Sequence, residues 1–320
     1  MRLRCLIPLL LLAVGAVAGS PARADRPVFA QAAGQESGAT KDGPAATWAL
    51  TRVDARGAWD ITRGSPSTVI GVLDTGVDPQ HPDLARQLVA GHDFVDGGND
   101  TADDNWHGTA VAGVAAAAPS ADGLTVSYCA RCSIMPVKVL DADERGSDDT
   151  IARGITWAVD HGARVLNLSF NGDGESPALA RALRYATMRR VVVVAAAGNE
   201  GARRPSFPAA DPNVIGVAAT DAADEVYPWS NRGAWVTVAA PGEQDATLRG
   251  GSYFSFLGTS AAAPAVSGTA ALCLSVAPGL TPKLVRKAIA AGADRLRGSQ
   301  FGRLNAARTV ALCARYASGS

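Results

Sequence analysis

The chain is poor in several things at once. Of its 320 residues only 6% are aromatic, five are cysteine and four are histidine, and 30 Lys plus Arg balance 30 Asp plus Glu. Balanced charge leaves no basic footprint for a phosphate backbone, which argues against a general nucleic-acid binder. One Cys-x-x-Cys, Cys129 to Cys132, has no second copy and no spaced histidine pair, so a zinc site lacks support. No Walker loop and no Gly-x-Gly-x-x-Gly occurs, which removes the usual nucleotide-binding signatures. Ser260 has Ala262 where an esterase elbow needs its second glycine, and Asp74-Thr-Gly76 has no second copy, as an aspartic peptidase would require. The 34 glycines follow no period, so the chain is not collagen-like, and no solenoid repeat is visible.

What is present begins with a targeting segment. Arg2 and Arg4 precede an apolar run from Leu6 to Ala18, and Ala22-Arg23-Ala24 has the small-x-small form of a signal peptidase site. Residues 1–24 therefore read as a cleaved secretory signal, and the run is short for a spanning helix. No later segment reads as apolar enough to cross a membrane. Removing Arg2, Arg4 and Arg23 leaves 27 basic against 30 acidic residues, a net charge of −3. Cys129, Cys132, Cys273 and Cys313 remain, an even number that fits disulfides in an exported protein, with three pairings open.

Residues 25–46 show no periodicity and read as a flexible extension, too short to fold as an independent domain. Residues 47–316 read as one domain, and 317–320 as a tail. Apolar runs at Val69–Leu73, Ile134–Val139, Val165–Leu168, Val191–Ala196 and Val214–Ala218 have the form of buried parallel strands. Helical spacing separates them at Ile151, Ile155 and Val159, and at Leu179, Leu183 and Ala186. This alternation predicts an α/β fold: a doubly wound, mostly parallel sheet with helices on both faces. Thr281-Pro282 starts another helix.

Four polar residues break the apolar pattern. Asp74 closes the first strand. His107 opens a small-residue helix in His107-Gly-Thr-Ala-Val-Ala-Gly113. Asn199 follows a strand between Gly198 and Gly201, and Ser260 leads a second small-residue helix in Gly258-Thr-Ser260-Ala-Ala-Ala-Pro264. Each alone has an ordinary structural role, such as a strand-end turn or a helix cap. Together, Asp, His and Ser in that chain order form a nucleophilic triad, with Asn199 placed to hold an oxyanion.

These motifs, with Asp74-Thr-Gly-Val-Asp78, His81-Pro-Asp-Leu84, Val238-Ala-Ala-Pro-Gly242 and Gly302-Arg-Leu-Asn305, resemble the subtilase family of subtilisin-like serine peptidases. The likeness runs from Trp48 to Arg315 and leans toward thermitase-like secreted members. It implies a secreted serine endopeptidase with Asp74, His107 and Ser260 catalytic and Asn199 in the oxyanion hole. It also implies that an extended polypeptide binds as a strand between Asp143–Gly146, including Glu144, and Ser169, Phe170 and Asn171. Ala197 and Gly198 would floor the primary pocket, with Glu200 at its rim. No catalytic cofactor, nucleic acid or membrane partner is implied, and the protein is expected to be a monomer. A structural calcium is expected, with Asp83, Asp93, Asp96 and Asp100 as candidate ligands. The chain departs from the family at Trp106, Ala110, Ala261 and Asn171, and in the acidic run Asp141–Asp149, which is expected to favour basic residues upstream of the cut. The competing reading is a catalytically silent protein that uses the same fold for binding or regulation.

Overall fold

The computed structural model describes residues 27–29, 37–40 and 48–319, apart from 122, 124, 125 and 173. Residues 1–24, read from the sequence as a signal segment, lie outside these residues.

Two short strands come first, β1 (Pro27–Phe29) and β2 (Ser37–Thr40). Helices α1 (Trp48–Arg52) and α2 (Ala55–Ile61) lead into β3 (Val69–Asp74) and the short β4 (His92–Asp93). Then follow α3 (His107–Ala116), β5 (Ser133–Lys138), β6 (Arg145–Ser147), α4 (Asp148–Asp160) and β7 (Val165–Leu168). The second half runs α5 (Pro177–Met188), β8 (Val192–Ala196), β9 (Val214–Thr220), β10 (Val238–Pro241), β11 (Glu243–Leu248) and β12 (Ser252–Leu257). It closes with α6 (Thr259–Val276), α7 (Pro282–Gly292), β13 (Asp294–Arg295), β14 (Gly302–Arg303) and α8 (Ala306–Ala317).

The central sheet has nine strands in the order β13-β14-β10-β9-β8-β7-β3-β5-β4, and only the β13–β14 pair is antiparallel. Its strands are apolar throughout because both faces are covered. Along β8, Val192, Val194 and Ala196 join the core under α3 and α6, while Val193 and Ala195 join the core under α4 and α5. The result is a single α/β domain with a doubly wound sheet, as the alternation of strands and helices predicts.

Helix α6 differs from expectation in one respect. Among the described residues it is long and apolar enough to cross a membrane. Yet it lies inside the core, every residue from Thr259 to Leu274 being buried. Its alanines and glycine give close packing rather than a lipid-facing surface: a Cβ on Gly268 would fall 2.7 Å from the Ala115 carbonyl of α3. Two disulfides form, Cys129–Cys132 and Cys273–Cys313, the second tying α6 to α8.

The stretch read as a flexible extension contributes both short strands. β1 pairs antiparallel with β6, and β2 pairs antiparallel with β12. Their backbone groups bond to distant edges, a source of order that local periodicity does not record.

Candidate active site

Asp74 ends β3 at the carboxyl edge of the sheet, where open α/β folds bind ligands. It is fully buried, and so is His107 at the start of α3. His107 Nδ1 lies 2.7 Å from Asp74 Oδ1, which also accepts from the Thr75 backbone at 2.8 Å. Trp106 occupies the N-cap position of α3 but makes no side-chain capping bond. Instead Asn105 Oδ1 accepts from the N–H groups of Trp106 and His107 at 2.8 and 3.0 Å. Gly108 permits the approach, because a Cβ there would fall 2.0 Å from the Gly76 carbonyl.

Below the pair lies a buried polar network that sequence reading missed. Asp103 accepts from Thr75 Oγ1 at 2.9 Å, from the Thr109 N–H at 2.9 Å and hydroxyl at 2.5 Å, and from the Asn105 N–H at 3.0 Å. Burial pushes the Asp103 carboxyl up, against the hydrogen bonds from Thr109, Thr75 and Asn105 that favour its charge. Lys138 Nζ donates to the Thr75 carbonyl and to Asp104, each at 2.7 Å. An aspartate four residues ahead of α3, with Asp104 beside it, resembles a loop acid in the sequence; only its burial reveals the network.

His107 itself sits between opposing effects. Burial disfavours its charged form, but the Asp74 carboxylate, with smaller contributions from Glu144 and Asp103, outweighs burial and raises its pKa.

Ser260 sits in the first turn of α6. Pro264, four residues on, has no N–H to offer its carbonyl, and the Ser169 hydroxyl donates to that carbonyl at 3.1 Å instead. Ser260 Oγ in turn donates to the Ser169 carbonyl at 2.9 Å. His107 Nε2 is buried with no hydrogen-bond partner among the described residues. The structure thus pairs Asp74 with His107 and leaves the serine hydroxyl turned toward Ser169. Thr259, also missed in the sequence, orients Asn199: its N–H and hydroxyl donate to Asn199 Oδ1 at 3.0 and 2.9 Å. Its oxygen also accepts from the Gly198 N–H at 3.0 Å. The amide nitrogen of Asn199 is thereby the end directed away from α6.

The residues expected to bind substrate divide into backbone and side-chain contributors. Gly146 lies on β6, with Glu144 just before it in a left-handed conformation, φ 61°. Burial pushes the Glu144 carboxyl up, opposed by the nearby His107. Phe170 offers no side chain to a substrate, since it packs in the core between α4 and α5. Ser169 is buried too, while Asn171 is half-buried. Asn171 Nδ2 donates to Glu200 Oε1 at 3.1 Å, and Asn231 donates to the other Glu200 oxygen. Both amides and Glu200 crowd around Gly198, whose φ is 102°. Ala197 is buried at the end of β8. Trp106 meets Phe254 and Phe256 edge-on, with ring centroids 5.3 and 5.9 Å away, and so backs the His107 ring.

The acids named for calcium do not converge. Asp83 accepts from the Tyr253 hydroxyl, Asp93 Oδ1 caps its own turn through the Val95 N–H at 2.7 Å, and Asp100 Oδ1 accepts from the Ala102 N–H at 3.1 Å. Among the described residues no group of three or more His, Cys, Asp or Glu side chains is placed to hold a metal. The residues present do not fit the expected ion.

A buried carboxylate–imidazole pair at the carboxyl edge of a parallel sheet, in a chain that opens another helix with a buried serine, has the elements of a serine peptidase. The family model described as the subtilase family matches residues 65–307. The chain is 42% identical over 258 residues to a thermophilic serine proteinase of Bacillus sp. (strain AK1), a match spanning 79% of this chain and 64% of that protein. It is 40% identical over 264 residues to thermitase of Thermoactinomyces vulgaris, spanning 81% and 94%, and 38% identical over 258 residues to subtilisin BL of Lederbergia lenta, spanning 79% and 94%. The chain belongs to the subtilase family and is a serine endopeptidase acting on polypeptides.

Proposed function

We propose that the protein is secreted and cleaves peptide bonds through an Asp74–His107–Ser260 triad and an acyl-enzyme. The observation that carries this reading is the buried 2.7 Å contact between Asp74 Oδ1 and His107 Nδ1, which leaves Nε2 as the free ring nitrogen. When substrate binds, the Ser260 hydroxyl turns from Ser169 to His107 Nε2. Its oxygen attacks the peptide carbonyl while Nε2 takes the proton. Asp74 holds the ring in the required tautomer and stabilises the imidazolium. The Asn199 amide and the Ser260 N–H receive the oxyanion, and their preorganisation lowers the barrier. His107 then protonates the leaving amine, and water repeats the sequence to release the acid.

Substrate adds as an extended strand beside β6, with Ser169–Asn171 on its other side. Support comes from β1, which already lies antiparallel on β6, Val28 opposite Gly146. The chain's own segment uses the edge a peptide needs, so a chain starting at residue 47 is expected to fold and to turn over peptides faster. Asp141, Asp143 and Glu144 favour Lys or Arg upstream of the cut. Equal cleavage of Lys-, Arg-, Asp- and Glu-containing peptides would remove that preference. Secretion is supported by the charge, apolar run and Ala22-Arg23-Ala24 site at the N-terminus. A monomer without a membrane partner is the simplest form of this reading. Calcium has no step in the chemistry, and with its candidate acids dispersed, EDTA is expected to leave activity and Tm unchanged.

The test is a casein digest with the secreted protein and its Ser260→Ala variant. Hydrolysis by the first alone is expected. Equal hydrolysis by both would contradict the proposal, and a folded, inert wild type would favour the silent binding protein.

A further inference from the structure

Past Asn199 the chain borders a second cavity, of about 770 Å³. Four arginines line it: Arg203, Arg232, Arg295 and Arg297. They come from three separate stretches of the chain, Arg295 ending β13. Arg203, Arg295 and Arg297 are exposed and form no ion pair among the described residues. Two acids also line the cavity, but Asp224 is already engaged by Arg303 at 2.7 Å and Arg52 at 3.7 Å. Glu225 is the other acid among the lining residues, against four arginines. In a chain with as many acids as bases, this is a local concentration of like charge, and like charges repel unless an anion joins them.

Two further features describe what would fit. The cavity has an apolar part formed by Val226, Leu296 and Phe301, which pack in one cluster with Trp235 and Val236. Arg232 Nε and Trp235 Nε1 are buried without an acceptor, while Arg232 Nη1 and Nη2 make long bonds to the Tyr227 and Pro228 carbonyls at 3.4 and 3.5 Å. Guanidinium forks match carboxylates two bonds at a time, and arginines spread over three stretches of chain suit several spaced carboxylates better than one compact anion. The apolar part suits a hydrophobic side chain between them. The volume falls within the roughly 300–1,000 Å³ of ordinary ligand sites.

The cavity also adjoins the catalytic turn. Asn231, next to Arg232, donates to the Ala197 carbonyl at 3.0 Å, and its N–H donates to the Gly198 carbonyl at 2.9 Å. The Arg232 N–H donates to the Ala202 carbonyl at 2.9 Å, next to Arg203. Ala197 belongs to the same apolar cluster as Leu296. We propose that this cavity is a second, non-catalytic site that captures a carboxylate-rich peptide segment carrying an apolar residue.

The inference rests on the cavity and not on the triad, so it is tested with the full Ser260→Ala chain, which cannot digest its ligand. The probe is a heptapeptide of six glutamates around one leucine, titrated calorimetrically. The comparators are its glutamine analogue, inorganic phosphate and a single-stranded oligonucleotide of equal charge. One-to-one binding of the acidic peptide is expected, weakened about ten-fold or more by Arg295→Ala/Arg297→Ala and by raising salt from about 50 to about 500 mM. Arg86→Ala, which removes an exposed charge elsewhere, is expected to change nothing. Because Arg295 and Arg297 are exposed, their loss leaves the fold and hydrolysis of a neutral peptide in the Ser260 enzyme intact. No binding, binding unchanged in the double variant, or equal or tighter binding of phosphate or the oligonucleotide would overturn the proposal.

Discussion

Two helix starts deliver the catalytic side chains, and they are held by different physics. The start of α3 is set in charge: Asp103, Asp104 and Lys138 bond the loop before His107, and Asp103 is almost wholly buried. The start of α6 is set by neutral groups: Thr259 on Asn199, and a carbonyl released by Pro264 and taken up by Ser169. A buried charged network is costly to form and costly to break, because each lost partner strands a desolvated group. A neutral array packed among alanines stores little energy in any one bond. The first start should therefore fail through stability, the second through rate.

Several variants break or sharpen that contrast. Ser260→Ala removes the nucleophile and should lower kcat on a peptide by about a million-fold, with thermal unfolding unchanged. Asn199→Ala should cost roughly 100- to 1,000-fold in kcat, again with Tm unchanged. Asp103→Asn, which puts an amide where the Thr109 N–H and hydroxyl donate, should destabilise the protein by about 2–3 kcal/mol in urea titration. An unchanged urea midpoint would show that the α3 start is held by packing instead.

The smallest effects concern pH. The general base must be neutral, so activity falls as pH drops through the His107 pKa. That value is raised, which places the acid limb above the pH of an ordinary imidazole. Glu144→Gln removes one of the raising charges and should move the limb to lower pH with kcat on the plateau little changed. Glu175 supplies a comparison outside the site. Burial and a hydrogen bond with Asp211 push its carboxyl up to about 7. A carboxyl whose folded pKa lies above its unfolded value favours the folded state at low pH, and that advantage is lost as pH rises through about 7. Glu175→Gln should therefore raise Tm at pH 8 and not at pH 4.

Much of the arrangement was legible where sequence pattern and burial coincide. Asp74 stands out because an acid ends an apolar run, and Thr281 because its hydroxyl does cap α7, accepting from the Leu284 N–H at 3.3 Å. The β11–β12 hairpin was missed, though Gly250 and Gly251, both at positive φ in its turn, carry the signal. Asp103, Thr259 and Lys138 were invisible because their meaning lies in partners distant in the chain. Phe170 belongs to the edge expected to pair with substrate, a role for its backbone, while its ring joins Leu166 and Leu168 in the core as the alternation of β7 continues past the strand end. The strands β1 and β2 exist through edges more than a hundred residues away.

If Asp74, His107 and Ser260 act as one unit, an organofluorophosphate should bind one equivalent at Ser260 in the wild type and none in Ser260→Ala, and His107→Ala should label slower by orders of magnitude. A folded wild type that takes up no label, or labels at another serine, would contradict it.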